Sequence, residues 1–509
     1  MTVTRGQNTP EGTPAKAEYS DEPAAYDAFV KAWPDYQQTA QLDAFRASDF
    51  ERLDAQGHTY LDYTGASLYA SSHIERHTSL LLQHVLGNPH SGSPASASAT
   101  VLVEETRRDI LHYFNASPVE YTAVFTQNAT AALKLVGEAY PFTAQGRLLL
   151  TFDNHNSVNG LREFAFKRKA TVEYAPLTVP ELRLDQVRLD ELLDRANPDA
   201  RNLFAYPAQS NFSGVRHPLK LVERARSRGW EVLLDASAFV PTNRLDVDSI
   251  RPDFVAVSFY KMFGYPTGVG CLIARRNALA ALERPWFAGG TVNFASVQGT
   301  AHILAPYEAG FEDGTLNYLS IPAVTLGLQQ LETLGVDVIQ TRVRCLTAWL
   351  LERLLEIRHT NGRPVVRLYG PTTTVDRGGA IALNFYDPEG RLLDYRRVEE
   401  LAATERISLR TGCFCNPGAG ETAEGLTEDD MRAGVAAGTD ITLPRFLQVI
   451  QHRGGKSAGA IRVSFGLASN FGDAYRFFRF AVSLRDQTRL TLGDVTFDIE
   501  SCRVMRDGS

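Results

Sequence analysis

The chain has 509 residues, 44% hydrophobic and 22% charged, with a formal net charge of −7 at pH 7. Its length suffices for two or three folding units with a large core, and its acidic balance excludes nucleic acid and anionic membrane as main partners, because both call for a basic footprint. No stretch approaches the length of a membrane span and the first residues carry no apolar leader, so a cytoplasmic protein is expected. The five cysteines, Cys271, Cys345, Cys413, Cys415 and Cys502, are odd in number and irregular in spacing, which points to a reducing compartment.

Residues 1–22, rich in Thr, Pro, Gly, Glu and Ala, read as a disordered leader. Residues 23–65 form an N-terminal helical segment assigned to a smaller domain: Tyr26 to Leu53 is amphipathic with helical period, and Tyr60-Leu61-Asp62-Tyr63 reads as a short strand. Residues 66–335 alternate strand-like and helix-like runs. One unit is the strand Ala123-Val124-Phe125 with a helix beginning near Ala129; another is a helix from Pro218 to Arg228 followed by the strand Glu231 to Leu234 and its terminal Asp235. Such alternation predicts a large α/β domain, its mostly parallel sheet covered by helices, with a site at the carboxyl ends of the strands. A long helix from Val336 to Leu355 opens a smaller C-terminal α/β domain over 336–485, with strands at Gly379–Phe385 and Ala460–Phe465. Gly418 to Gly438 reads as loop-rich and acidic, and 486–509 as a β-prone tail. No internal repeat is present.

Three strand ends carry chemistry. The apolar run Val255-Ala256-Val257 leads through Ser258-Phe259-Tyr260 to Lys261 and a glycine-rich return. A lysine at a strand end against a glycine-lined cavity is placed to lose its proton by desolvation and to condense with an aldehyde; alone, the same pattern also suits a surface lysine in a hairpin. Asp235 closes an apolar strand, where a buried carboxylate calls for a cationic partner such as a pyridinium nitrogen, although a helix N-cap would read alike. Thr126-Gln127-Asn128-Ala129-Thr130 joins strand to helix and offers free N–H groups and a hydroxyl to a phosphate, or a purely structural cap. Together, in this order, the three fit a pyridoxal 5'-phosphate enzyme.

The segments QNATAALK, DNHNSVNGLR, QSNFSGVRHPL, LLDASAFVPT, SFYKMFGYPTGVG, FEDGTLNYLS, RTGCFCNPGAG and IRVSFG, spanning about Tyr60 to Phe480, resemble the class V aminotransferase family of fold-type I enzymes. Within it they are most similar to the aminotransferase-like domain of molybdenum cofactor sulfurases, relatives of cysteine desulfurases. The resemblance implies that Lys261 carries the cofactor as a Schiff base, that Asp235 pairs with the ring nitrogen, and that Ala129, Thr130 and Ser258 hold the phosphate. It implies that His155 stacks on the ring and takes part in catalysis, with Asp153-Asn154-His155 standing where desulfurases have Glu-His. Asn211 would contact cofactor or substrate, Arg462 would grip a substrate α-carboxylate with its fork, and Thr315 would reach the phosphate of the neighbouring subunit in a homodimer. Ala238 replaces the desulfurase glutamine and Tyr260 the histidine before the lysine, both as in the molybdenum cofactor sulfurase branch.

Cys413 and Cys415 form a CxC pair that fits a metal clip, a redox pair or one nucleophile with a bystander. No histidine cluster accompanies them, so no zinc is expected. The resemblance places the persulfide-forming thiol at Cys415, while two buried structural thiols remain the plainer alternative. The implied function is a pyridoxal-phosphate-dependent cysteine desulfurase or sulfurtransferase, taking sulfur from L-cysteine and passing it to an acceptor protein or a molybdenum cofactor. The alternatives are a lyase or carbon–carbon bond-forming enzyme acting on an amino acid or its sulfinate with the same cofactor, and a non-catalytic scaffold.

Overall fold

Runs such as Leu148-Leu149-Leu150 and Phe254-Val255-Ala256-Val257 have no polar face, which suits strands covered on both sides. In the computed structural model, which describes residues 21–89, 91–435, 459–487, 495–498 and 503–506, these runs lie in one seven-stranded sheet. Its strands are β1 (Tyr121–Thr126), β2 (Arg147–Thr151), β3 (Thr171–Ala175), β4 (Asn202–Pro207), β5 (Glu231–Asp235), β6 (Phe254–Ser258) and β7 (Gly270–Arg275), in spatial order β1-β7-β6-β5-β4-β2-β3. All run parallel except β7, which is antiparallel to both β1 and β6.

Strand period sorts the apolar side chains onto two faces. Leu149, Val232, Leu234, Val255 and Val257 join one buried cluster. Leu148, Leu150, Leu233, Phe254 and Ala256 join the other. A second, antiparallel sheet follows, built from β8 (Val366–Tyr369), β9 (Ala380–Phe385), β10 (Arg410–Gly412) and β11 (Ala460–Ser464) in the order β8-β9-β11-β10.

The expected helix Val336–Leu355 is observed as Val336–Glu356. From its buried face Arg342 donates to Asp43 Oδ1 at 2.7 Å and to the carbonyl of Thr39 at 2.7 Å. Arg46 pairs with Asp473 at 2.5 Å, both buried, and Phe29 stacks on Phe471 at 4.8 Å. The N-terminal helices are thereby tied to the helices Val336–Glu356 and Phe471–Ser483.

Several elements differ from the sequence reading. The helical stretch Tyr26 to Leu53 is broken into Glu22–Ala32, a 3-10 turn Pro34–Thr39, Gln41–Asp49 and Glu51–Ala55; Pro34 disfavours a helical Trp33, which sits at φ −125° and ψ 66°. The strand expected at Tyr60 to Tyr63 is a two-residue parallel pairing of Thr59–Tyr60 with Ile407–Ser408. The helix expected from Pro218 to Arg228 is confined to Leu221–Arg226. Gly418 to Gly438 is not a loop throughout: Asn416 caps a helix Pro417–Glu424, and a second helix spans Glu428–Val435. The first is stabilised by Pro at its start and an αL Gly425 at its end. In the tail, Val495–Asp498 pairs with Arg503–Arg506. Most of the expected leader, residues 436–458 and Cys502 lie outside the described residues. Among the described residues no helix is long and apolar enough to cross a membrane.

Candidate active site

The sheet register levels the strand ends. Thr126 lies opposite Gly270, Gly270 opposite Ser258, and Asp235 beside both Ala256 and Pro207. Above this edge opens a cavity of about 200 Å³, and its lining includes Ala129, Thr130, His155, Asn211, Asp235, Ser258 and Lys261. Seven of the expected residues are thus brought together. Thr315 is not among them: it is exposed, takes a long hydrogen bond from Asn88 at 3.4 Å, and lines a separate cavity beside Thr126 and Gln127.

Lys261 does not sit in a hairpin turn. It occupies a helical turn, Phe259–Phe263, that follows β6 directly and ends at Gly264 in the αL conformation. Gly264 has φ +79°, and a Cβ there would stand 2.4 Å from the backbone of Leu68 and Tyr69. Only glycine meets both demands, so the turn that aims Lys261 is fixed by its successor three residues on. Burial lowers the pKa of Lys261; Asp235 opposes that shift, and Arg462 adds to it.

Asp235 is 9% exposed, and its Oδ1 accepts from Ser237 N at 3.0 Å. Asn128 caps the helix Ala129–Ala139 through Ala131 N at 2.9 Å. First-turn amides have no intrahelical acceptor, so the N–H groups of Ala129 and Thr130 reach the cavity as donors. The Thr130 hydroxyl lies 2.7 Å from that of Ser157. His155 caps a short helix, its Nδ1 accepting from Ser157 N at 3.1 Å. The neutral ring therefore carries its proton on Nε2. Burial, reinforced by the charge of Lys261, lowers the His155 pKa and keeps the ring neutral. Asn154 is buried and donates to the carbonyls of Thr151 and Ala205 at 3.0 and 3.1 Å, so it is His155 and not Asn154 that lines the cavity.

The CxC loop seats against this wall by hydrogen bonds from backbone and asparagine side chains. Asn156 N donates to the Cys415 carbonyl at 2.7 Å, and Asn211 Nδ2 to the Phe414 carbonyl at 2.7 Å. Asn416, fully buried, donates to the carbonyl of Asp153 at 2.7 Å and to Asn211 Oδ1 at 2.8 Å. Phe414 and Cys415 both have left-handed backbones, φ +53° and +54°. Such residues each cost about 1–3 kcal/mol and persist only where the surroundings over-determine them. Cys413 and Cys415 are exposed, whereas Cys271 and Cys345 are buried and their thiol pKa values are raised by burial. Among the described residues no group of three or more His, Cys, Asp or Glu could hold a metal ion.

Arg462 is 3% exposed and lies outside the cavity wall. Its Nη2 donates to Asp62 Oδ1 at 2.8 Å, its Nη1 to the Asn211 carbonyl at 2.9 Å, and its guanidinium covers Phe414 at 4.9 Å; its Nε has no partner among the described residues. Asp62 also accepts from Arg410 Nη2 at 2.7 Å. Sequence reading missed Asp62, Arg410 and Asn416 as parts of the site. It also missed Gln209 and Ser237, which line the cavity together with Ala238 and Tyr260. For Asp62 the one signal was a carboxylate ending a short apolar run.

A family model described as aminotransferase class-V matches residues 59–477. The chain belongs to that family. It is 37% identical over 499 residues to the molybdenum cofactor sulfurase of Arabidopsis thaliana, covering 90% of this chain and 60% of the relative. The chain therefore spans about three fifths of that relative's length. Its fold matches the apo cysteine desulfurase of Thermococcus onnurineus NA1 with a TM-score of 0.69 at 22% identity, over 87% of this chain and 97% of that one. Cysteine desulfurase CsdA of Escherichia coli gives 0.67 at 20% identity, over 87% and 99%.

The family's cofactor is pyridoxal 5'-phosphate, and the cavity residues fit it. The Ser237 hydroxyl and the Gln209 Oε1 are buried without a partner among the described residues, and both residues line the cavity. A buried Asp235 and a desolvated amine face the same space. Such groups suit a polar guest that offers a protonated ring nitrogen to Asp235, hydrogen-bonding groups to Ser237 and Gln209, and an electrophilic carbon to the amine.

Proposed function

We propose that this chain is a pyridoxal-phosphate-dependent cysteine desulfurase that takes sulfur from L-cysteine onto Cys415 and hands it to an acceptor. The observation that carries the reading is the seating of Cys415: an exposed thiol on a strained loop whose carbonyl is bonded to Asn156, next to His155. A structural thiol has no need of either exposure or strain.

When bound, pyridoxal phosphate supplies the electron sink that weakens bonds at the substrate Cα. The amides of Ala129 and Thr130 and the hydroxyls of Thr130 and Ser258 would hold its phosphate, Asp235 its ring nitrogen, and Lys261 Nζ its aldehyde carbon. Lys261, its pKa lowered by burial, would serve as the base toward the substrate Cα proton. His155 presents Nε2–H over the cavity as a donor. Arg462 would take the substrate carboxylate once Asp62 gives way. The Cys415 thiolate then attacks the substrate sulfur: an S–S bond forms, the substrate Cβ–S bond breaks, and a proton at Cβ completes alanine. One cysteine and one thiol give one alanine and one persulfide.

The exposure of Thr315 suits contact with the partner subunit of a homodimer. The acceptor is a protein thiol or the molybdenum cofactor; the sulfurase relative supports the latter. The test is incubation of the cofactor-loaded chain with L-cysteine and a reductant, following alanine and sulfide and locating added sulfur by peptide mass spectrometry. Sulfur is expected on Cys415. Full sulfide-producing turnover in Cys415→Ser would overturn persulfide transfer through that residue.

A further inference from the structure

Thr242 lines the small cavity that Lys261 shares with Tyr63 and Gly466, and it also lines a second cavity of about 90 Å³. The walls of this second cavity are basic. They include Arg216, Arg344 and Arg377 together with Asn243, Gln340 and Thr347, and among the described residues no acidic side chain.

Arg377 is 5% exposed and, among the described residues, donates only to carbonyls: those of Pro371, Gly378, Ser213 and Ala380. It is a fixed buried charge facing no carboxylate among these partners, and both burial and the charge of Arg183 act against its protonated form. Arg216 donates Nη1 to Asn243 Oδ1 at 2.9 Å, and Gln340 Nε2 donates to the same oxygen at 2.7 Å, so two donors are oriented by one acceptor. The nearby acids stand outside the lining: Asp35 pairs with Arg344 at 2.7 Å, and Asp376 acts on Arg216. The three guanidiniums of the lining therefore outnumber these two carboxylates, while Arg183, which acts on Arg377 from outside the lining, is paired with Glu181. The hydroxyl of Thr347, 1% exposed, has no hydrogen-bond partner among the described residues although its side chain lines the cavity.

Buried charge without a counter-ion and a buried hydroxyl without a partner are both expensive unless a guest completes them. We propose that this cavity binds a small inorganic oxyanion of the sulfate or phosphate class. Several water-sized sites are enough for such an ion and too few for a nucleotide. Its oxygens accept from Arg216, Arg344 and Thr347, and its charge compensates Arg377. The site stands whatever reaction the Lys261 cavity runs.

Equilibrium dialysis of the cofactor-loaded full chain against radiolabelled sulfate at constant ionic strength tests this, because the cofactor's own phosphate then fills the Thr130–Ser258 end of the active site. One saturable sulfate per chain, displaced by inorganic phosphate, is expected. Arg216→Gln removes a charge-assisted donor and should weaken binding about tenfold or more. Thr347→Val, which keeps shape and charge, should weaken it several-fold and decides the matter if Arg216→Gln fails to fold. Absence of saturable sulfate, or affinity unchanged in Thr347→Val and in a folded Arg216→Gln, overturns the proposal.

Discussion

Asn416→Ala removes one side chain and three hydrogen bonds. The Nδ2 group loses the Asp153 carbonyl at 2.7 Å and Asn211 Oδ1 at 2.8 Å, and the Oδ1 atom loses Ala419 N at 3.2 Å. Both stranded acceptors belong to buried residues, Asp153 at 1% and Asn211 at 9% exposure. Each orphaned acceptor costs at least about 1 kcal/mol and the lost helix cap about 1 more, so a destabilisation of about 3 kcal/mol is expected. Urea unfolding of the cofactor-loaded chain reads this as a lowered midpoint at unchanged slope. The substitution touches neither Asp235 nor Ser258, so the cofactor absorbance should persist while turnover falls, because Phe414 and Cys415 lose the frame that holds their left-handed backbones. Asn416→Asp keeps the cap acceptor but sets a carboxylate against two oxygens, and should be no milder. If Asn416→Ala unfolds within about 0.5 kcal/mol of the parent and turns over at the parent rate, the loop is held by something other than this residue.

Two further outcomes follow from the same geometry. In the apo chain Lys261 titrates below its ordinary 10.5, so the pH profile of cofactor loading should inflect below that value. Asp235→Asn should lower the inflection further, because the carboxylate favours the ammonium; an inflection at or above 10.5, or one that rises in the variant, refutes the desolvation argument. The linked stability has a fixed sign. The folded chain binds fewer protons than the unfolded one between the lowered pKa and 10.5, so the apo chain gains stability as pH rises through that window. Gly264→Ala forces a Cβ to within 2.4 Å of the Leu68 backbone at φ +79° and should destabilise by more than about 1 kcal/mol, with lost cofactor retention. A variant that melts with the parent would show the turn after Lys261 to be compliant.

Lys261, Asp235 and Thr130 were legible because each ends or follows an apolar strand, and parallel strands deliver their carboxyl ends to one edge whatever the loops between them do. The reversed direction of β7 was not legible, since an antiparallel strand buried on both faces has the same composition as a parallel one. Nor were the clamps. Asn211 and Asn416 meet across 205 residues of chain, and Arg462 and Asp62 across 400. No local pattern records a hydrogen bond between segments so far apart. The helix Pro417–Glu424 is not legible within a stretch that reads as loop-rich, because its glycines lower propensity, although Gly418 is there for packing: a Cβ would stand 2.0 Å from the Phe152 carbonyl oxygen.

Arg462 shows why the clamps matter to chemistry. A guanidinium buried to 3% exposure and left unpaired would be costly, and Asp62 removes that cost before any substrate arrives. A carboxylate-bearing substrate that displaces Asp62 exchanges one anion for another and leaves the site's charge unchanged, whereas a substrate lacking a carboxylate has nothing to offer Arg462 in return. Arg410, partly exposed and bonded to Asp62 Oδ2, would keep the displaced carboxylate paired during such an exchange. The same Arg462 lies over Phe414 and donates to the Asn211 carbonyl, so it is in contact with the loop that carries Cys415. On the proposed function, movement of Arg462 toward a substrate carboxylate would be felt one residue from the thiol and would couple occupancy of that site to the position of Cys415.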